Sequence, residues 1–171
     1  DGTTVVTANS GTGPLSLSVL RNIQTGDPDI FQIPDGAKTN SEVLSSVFMG
    51  IAISPDNQTI YAAGGQANRI YVFDLETRES KGFIDCAAVV EGTDYTHGYL
   101  GDLTLNSSGT RLYVVDQINF IMLEIDLLEE KVLHRVPTGR YPFGICISPD
   151  ESRVYVANVG LFEYSRLASL D

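Results

Sequence analysis

Gly144-Ile-Cys-Ile-Ser-Pro-Asp-Glu-Ser-Arg-Val-Tyr-Val-Ala-Asn158 decides the fold, because the chain carries it more than once. Almost the same words stand earlier as Gly50-Ile-Ala-Ile-Ser-Pro-Asp-Asn-Gln-Thr-Ile-Tyr-Ala-Ala-Gly64. A degenerate copy lies between them, Asp102-Leu-Thr-Leu-Asn-Ser-Ser-Gly-Thr-Arg-Leu-Tyr-Val-Val-Asp116. Each copy reads as a short apolar run, a tight turn and a second apolar run. Ile51 and Ile53 alternate with Ala52 and Ser54. Pro55-Asp56-Asn57 is turn chemistry, since Pro presets φ and Asp and Asn cap their own backbone. Thr59-Ile60-Tyr61-Ala62 is β-branched and aromatic, which suits a strand.

Two further runs follow the second copy of the motif in sequence space, Arg69 to Leu75 and Lys81 to Asp85. Four consecutive strands with short turns make an antiparallel meander. The matching tyrosines lie 52 residues apart (Tyr61 to Tyr113) and then 42 (Tyr113 to Tyr155). Four strands at a period of roughly 40–50 residues predict an all-β fold, a β-propeller of four-stranded antiparallel blades. At 171 residues the chain holds only an incomplete arc of about 3–4 blades. The blade units run at about 1–36, 41–86, 98–136 and 137–171.

The opening stretch, Asp1 to Asn9, matches Asp56 to Gly64 position for position, so the first unit lacks its first strand. Its next strands are expected at Leu15–Leu20 and near Ile30–Ile33. Pro34 to Asn40 reads as a linker, and Ser41-Glu-Val-Leu-Ser45 as a helical turn. The second unit predicts strands at about 50–54, 59–63, 69–75 and 81–85. A long connection, Ala87 to Leu100, leads to the third, with strands at about 102–105, 111–115, 120–126 and 131–136. Glu129-Glu130-Lys131 supplies its last hairpin. The fourth starts at Phe143 and runs through Asn158, and Leu161 to Leu167 reads equally as strand or short helix. The expected core is Ile51, Ile53, Ile60, Val72, Leu103, Leu105, Leu112, Val114, Ile145, Ile147, Val154 and Val156. Tyr61, Tyr113 and Tyr155 are expected to pack blade against blade.

Composition narrows the chemistry. A net charge of −11 with eleven scattered Lys and Arg argues against nucleic acid as a partner. No apolar run reaches the roughly 20 residues a membrane span needs. The chain opens on Asp1-Gly2 without a leader and reads as a processed or cut product. Cys86 and Cys146 allow one disulfide, but two buried thiols are the expected state.

Strand direction alternates within a blade, so each loop between strands two and three opens on the same face as the connection to the next blade. That face gathers the residues about 9–14, 64–68, 116–119 and 158–160 with the connections 34–49, 87–101 and 137–143. Long loops on a rigid scaffold are where binding groups collect. Phe48, His97, Tyr99, Arg140 and Tyr141 are the candidate ligand-binding residues there. Arg140 suits a carboxylate or phosphate, or else clamps a neighbouring loop. Asp85, Glu91, Asp94 and His97, with Asp102 beyond, are residue types that hold a divalent cation. The competing reading is a solvated acidic loop. His134 reads as plain surface. No nucleophile elbow, phosphate-binding Gly-rich loop, His-Glu-x-x-His or paired Cys-x-x-Cys occurs, so neither a catalytic residue nor a cofactor is expected.

Thr138-Gly-Arg-Tyr-Pro-Phe-Gly144 followed by Ile145 to Asn158 resembles the repeat of the YVTN-type propellers, with Tyr155-Val-Ala-Asn158 standing where that family writes Tyr-Val-Thr-Asn. These are surface-layer-like and lactonase-like proteins, typically seven-bladed. More narrowly, Phe48 to Asp56, Tyr61 to Gly65, Asn68 to Asp74 and Asn158 to Gly160 are similar to bacterial two-part proteins in which such a propeller precedes an alkaline-phosphatase-like phosphoesterase domain. That domain's motifs are not in this chain. The resemblance implies a non-catalytic binding or interaction platform in a secreted or periplasmic protein. A lactonase-like hydrolase or isomerase, with His97 and Arg140 at the ring centre, is the alternative. A redox propeller is a third reading, disfavoured by the lack of Trp and of any cofactor motif. About fourteen strands are half of a seven-bladed ring. The expected partners are therefore the remaining blades of a longer chain or a second copy, with a small ligand or protein on the loop face.

Overall fold

The computed structural model describes residues 2–9, 16–33 and 50–160. It is an arc of antiparallel sheets, each a consecutive meander. The first sheet holds β1 (Thr4–Asn9), β2 (Ser16–Arg21) and β3 (Asp29–Ile33), with a 3-10 turn at Ile23–Thr25. The second holds β4 (Ile51–Ile53), β5 (Thr59–Ala63), β6 (Arg69–Asp74) and β7 (Ser80–Asp85). A two-stranded hairpin, β8 (Val89–Val90) and β9 (Thr93–Asp94), interrupts the next connection. The third sheet holds β10 (Leu100–Leu105), β11 (Arg111–Asp116), β12 (Ile121–Asp126) and β13 (Lys131–Pro137). The fourth holds β14 (Pro142–Ile147) and β15 (Val154–Asn158). The segments 34–40, 41–45 and 161–167 and the residue Phe48 lie outside the described residues.

The repeated turn explains why each motif folds alike. Ser54 Oγ accepts the Thr59 N–H at 2.9 Å and donates to the Asp56 carboxylate. Asn57 closes the turn with a left-handed φ of 58° and donates its N–H to Ser54 O. The fourth sheet repeats this with Ser148, Asp150 and Glu151, whose φ is 55°. The third has no Ser-Pro-Asp, and the Asn106 side chain substitutes, accepting the N–H groups of Thr110 and Arg111 at 2.9 Å each. Gly109 takes the left-handed place there with φ 68°. A Cβ at Gly109 would sit 2.8 Å from Pro55 Cδ, so neighbouring turns pack on each other.

Two apolar interfaces join the first three sheets. Leu17, Val19 and Phe31 meet Ile60, Ala62, Tyr71 and Phe73 between the first and second. Ala63, Ile70, Val72 and Ile84 meet Leu103, Leu112, Val114 and Leu123 between the second and third. β6 is thus buried on both faces, with Ile70, Tyr71, Val72 and Phe73 all buried. Alternation along the sequence had suggested only Val72. At the outer edge, the guanidinium groups of Arg21 and Arg78 both lie over the Phe31 ring, 5.6 and 3.9 Å from its centre. The inner strands of neighbouring sheets come close: a Cβ on Gly50 would be 2.5 Å from Gly101 O. Asp102 occupies the same repeat position as Gly50 and Gly144, and its Oδ2 accepts the Ile145 N–H at 3.0 Å.

Most of the expected core is where the motif puts it. Ile60, Val72, Leu103, Leu112, Val114 and Ile145 are buried. Ile51 and Ile53 pack on the first interface and Leu105 on the second, all half-buried. Ile147, Val154 and Val156 are half-buried, because the fourth sheet has a neighbour on one side only among the described residues. The same asymmetry sorts the tyrosines. Tyr61 packs on the second interface and Tyr113 is half-buried, whereas Tyr155 is 51% exposed. Two expectations fail. The 87–100 connection contains the β8–β9 hairpin and is not a plain loop. The thiols are both free, but only Cys86 is buried; Cys146 is exposed, since it pairs with Tyr155 on the outward side of the fourth sheet.

Candidate functional site: the loop face

Among the described residues, the loops at 64–68, 116–119 and 158–160 do meet the connections at 86–100 and 140–141. Cys86 N–H donates to Asn68 O at 3.1 Å, and Leu100 N–H to Gly65 O at 3.0 Å. Gln117 N–H donates to Tyr99 O, and Val159 N–H to Tyr141 O, both at 2.9 Å. These last two bonds are the same bond in successive repeats, since Gln117 and Val159 follow the matched Asp116 and Asn158. Tyr99 and Tyr141 therefore hold equivalent places on neighbouring sheets.

Asp116 is the centre of this face. It is 2% exposed. One carboxylate oxygen accepts the N–H groups of Tyr99, Ile118 and Asn119 at 3.0, 3.1 and 3.2 Å. The other accepts from Asn119 Nδ2 at 2.7 Å. Asn119 Nδ2 also donates to His97 O at 2.8 Å. Buried Asn68 adds a bond from Nδ2 to Tyr95 O at 2.9 Å. Gly98 fits under both: a Cβ there would lie 2.6 Å from Asn68 Oδ1 and from Asp116 Oδ2. A buried carboxylate needs several donors to offset its lost hydration, and this one has four. Sequence reading passed over Asp116, although Asp116-Gln-Ile-Asn119 has the form of an Asx turn.

The candidate ligand residues divide. Tyr99 is half-buried and held by its backbone to Asp116. Tyr141 is 48% exposed, with a left-handed φ of 56° and its ring centre 6.2 Å from that of Phe120. Arg140 is exposed; its carbonyl accepts the Gly160 N–H at 3.0 Å, and its guanidinium has no partner among the described residues. His97 is exposed and enters the network through its carbonyl, not its ring. Phe48 lies outside the described residues.

The metal candidates do not assemble. Among the described residues no three His, Cys, Asp or Glu side chains group in a way that could hold a metal ion. The physical reason is local. Asp85 accepts the Ala87 N–H at 3.0 Å, and Asp94 the N–H and hydroxyl of Thr96. The Thr96 hydroxyl bond, then its N–H, holds the Asp94 carboxyl below the usual range. Glu91 sits at the hairpin tip with φ 49°, and Asp102 is engaged with Leu103 and Ile145 N–H groups. The Asp85, Asp94 and Asp102 carboxylates each serve their own turn or a neighbouring strand, and Glu91 stands exposed apart from them. His134 is exposed on β13, as a surface residue would be. No helix among the described residues is long and apolar enough to cross a membrane.

No family model matches the chain, and no curated protein matches it. Among solved structures the chain is similar to hydrazine synthase of Kuenenia stuttgartiensis, with a TM-score of 0.69 and 14% identity. The match covers 95% of this chain and 40% of that one, so the chain spans well under half the length of the protein it resembles. At that identity the likeness bears on the fold alone, and it supports a β-propeller-like arc of antiparallel blades.

Proposed function

We propose that this chain is a propeller segment of the YVTN type whose loop face is a non-catalytic binding platform in a secreted or periplasmic bacterial protein. The observation that carries the reading is the Asp116 network. It fixes the 97–101 connection to the 116–119 loop through a buried carboxylate, and so presents rim side chains from a rigid base. Tyr141 and Arg140 stand exposed beside it, an aromatic and a cation with no side-chain hydrogen bond among the described residues. That pairing suits a small anionic ligand or a protein loop. Further blades of a longer polypeptide cover the outward side of the fourth sheet in this reading; a second copy is the other source. Its support is that Tyr155 is 51% exposed where the matched Tyr61 packs into an interface.

The test is site-specific photo-crosslinking in the native cells, with the reactive residue at Tyr141 or at Asn57 on the opposite turns. Adducts at Tyr141 that vanish in Arg140→Ala, with none at Asn57, are expected. Equal labelling at both positions would overturn the platform. Lactone turnover by the purified chain, lost in His97→Ala, would replace it with the hydrolase reading.

A further inference from the structure

The repeat spacing marks where the chain holds something its scaffold does not require. The Tyr61–Tyr113 interval is 52 residues and the Tyr113–Tyr155 interval 42. The surplus falls in the connection that folds into β8 and β9. Insertions within a repeat collect on binding surfaces, because the stacked sheets stay intact without them. This hairpin leaves a cavity of about 320 Å³ against the outer strand of the third sheet. Val90, Glu91, Thr93 and Tyr95 line it from the insertion, and His134 and Arg135 from β13.

Arg135 is built into the wall. Its Nη2 donates to Cys86 O at 2.9 Å, and its guanidinium carbon lies 5.3 Å from the centre of the Tyr95 ring. Its Nε is buried and has no hydrogen-bond partner. No carboxylate among the described residues pairs with it, in a chain with 22 acidic residues. A half-buried guanidinium held at two points, with its charge unmatched by any carboxylate among the described residues, is a fixed half of an ion pair. Guanidinium recognises a planar carboxylate edge-on. The cavity also carries one acid, Glu91, and the Thr93 hydroxyl. One cation and one anion in a small cavity suit a ligand with one of each, and Glu91 disfavours a dianion such as phosphate.

We propose that this cavity binds a small α-amino acid, its carboxylate on Arg135 and its ammonium toward Glu91. Val90 and Tyr95 give the side chain an apolar wall. At about 320 Å³ the space is at the small end for ligand sites and has room for an amino acid with its side chain. The site is separate from the Arg140–Tyr141 rim and does not depend on the platform reading.

The experiment is amide-resolved NMR titration of the 171-residue chain at neutral pH with L-alanine, propionate and inorganic phosphate. L-alanine should give saturable shifts at the 90–95 hairpin and at 133–135. Propionate should bind roughly tenfold more weakly, and phosphate not at all. Arg135→Lys, which keeps the charge but loses the planar fork, should abolish both responses. That variant also disturbs the bond to Cys86 O, so its amide spectrum away from 84–95 and 133–135 must match that of the unaltered chain; Glu91→Gln should erase the preference for L-alanine. No saturable shift at millimolar L-alanine would overturn the proposal. So would a stronger response to phosphate, or equal alanine and propionate binding in the unaltered chain.

Discussion

Replacing Asp116 by Ala tests whether one carboxylate fastens the loop face. The side chain is 2% exposed and accepts four hydrogen bonds. Bonds to a charged acceptor contribute about 1.5–3 kcal/mol each, but four donors on one group are not additive. Ile118 is exposed and Asn119 half-buried, so their N–H groups turn to water when the acceptor goes. The Tyr99 N–H lies in the part-buried seam with β11 and cannot do so as readily. The expected loss is therefore about 3–4 kcal/mol, one strong charged bond plus an unmet donor and a small void. For a chain of this size that lowers Tm by roughly 6–16 °C. Asp116→Asn keeps the shape and one acceptor but sets an amide against Asn119 Nδ2, and should cost about half as much. Urea denaturation measures the loss, and amide exchange at Tyr99 locates it. A destabilisation of Asp116→Ala below about 1 kcal/mol, or Tyr99 protection unchanged, would refute the claim that this carboxylate holds the face together.

Two further outcomes follow from the cysteines and the turn acids. Burial pushes the Cys86 thiol up to about 12, whereas Cys146 is exposed, so a thiol reagent should modify Cys146 in the native chain and Cys86 only after denaturation. If further blades cover the fourth sheet as proposed, Cys146 would be protected in the protein isolated from cells and reactive in the purified 171-residue chain. Asp56 and Asp150 are held below the usual Asp range, first by the Ser54 and Ser148 hydroxyls and then by N–H groups; Asp74 and Asp126 are lowered chiefly by N–H groups of their own turns. A depressed carboxyl stabilises the fold above its unfolded value near 4 and loses that stabilisation as pH falls through the folded value. Tm should thus be level from neutral pH down to about pH 5 and drop below about pH 4; a Tm that rises on acidification would contradict this.

The strands of the second and third sheets were legible because the motif carries its own turn. Ser-Pro-Asp-Asn and Asn-Ser-Ser-Gly both end on a residue that accepts a positive φ, and β-branched residues flank them. The β8–β9 hairpin was not, since two residues on each side are too few to show alternation. Its signal was Glu91-Gly92, with φ values of 49° and 83°, the two positive φ angles of a tight hairpin turn. The site was less legible than the fold. The acids of the 85–102 stretch share a segment of sequence, but Asp85 and Asp94 cap their own turns and Asp102 reaches the next sheet, and spacing alone cannot distinguish a cap from a ligand. Arg135 carried no signal at all, because what sets it apart is the insertion folding over it.

Near-identical repeats face a hazard during folding: any sheet can dock on the wrong neighbour and stay there. Asp102 breaks that degeneracy. Its matched residues are glycines, so only the third sheet can offer a carboxylate to the Ile145 N–H. Glu151, reaching back to the Ser107 N–H, is a second contact that only this pair of sheets can make. Together they act as an address, written in two side chains, that tells the fourth sheet which of its look-alikes to join. A chain with glycine at 102 would keep its strands and lose part of its protection against misassembly, which would appear as lower refolding yield more than as lower stability.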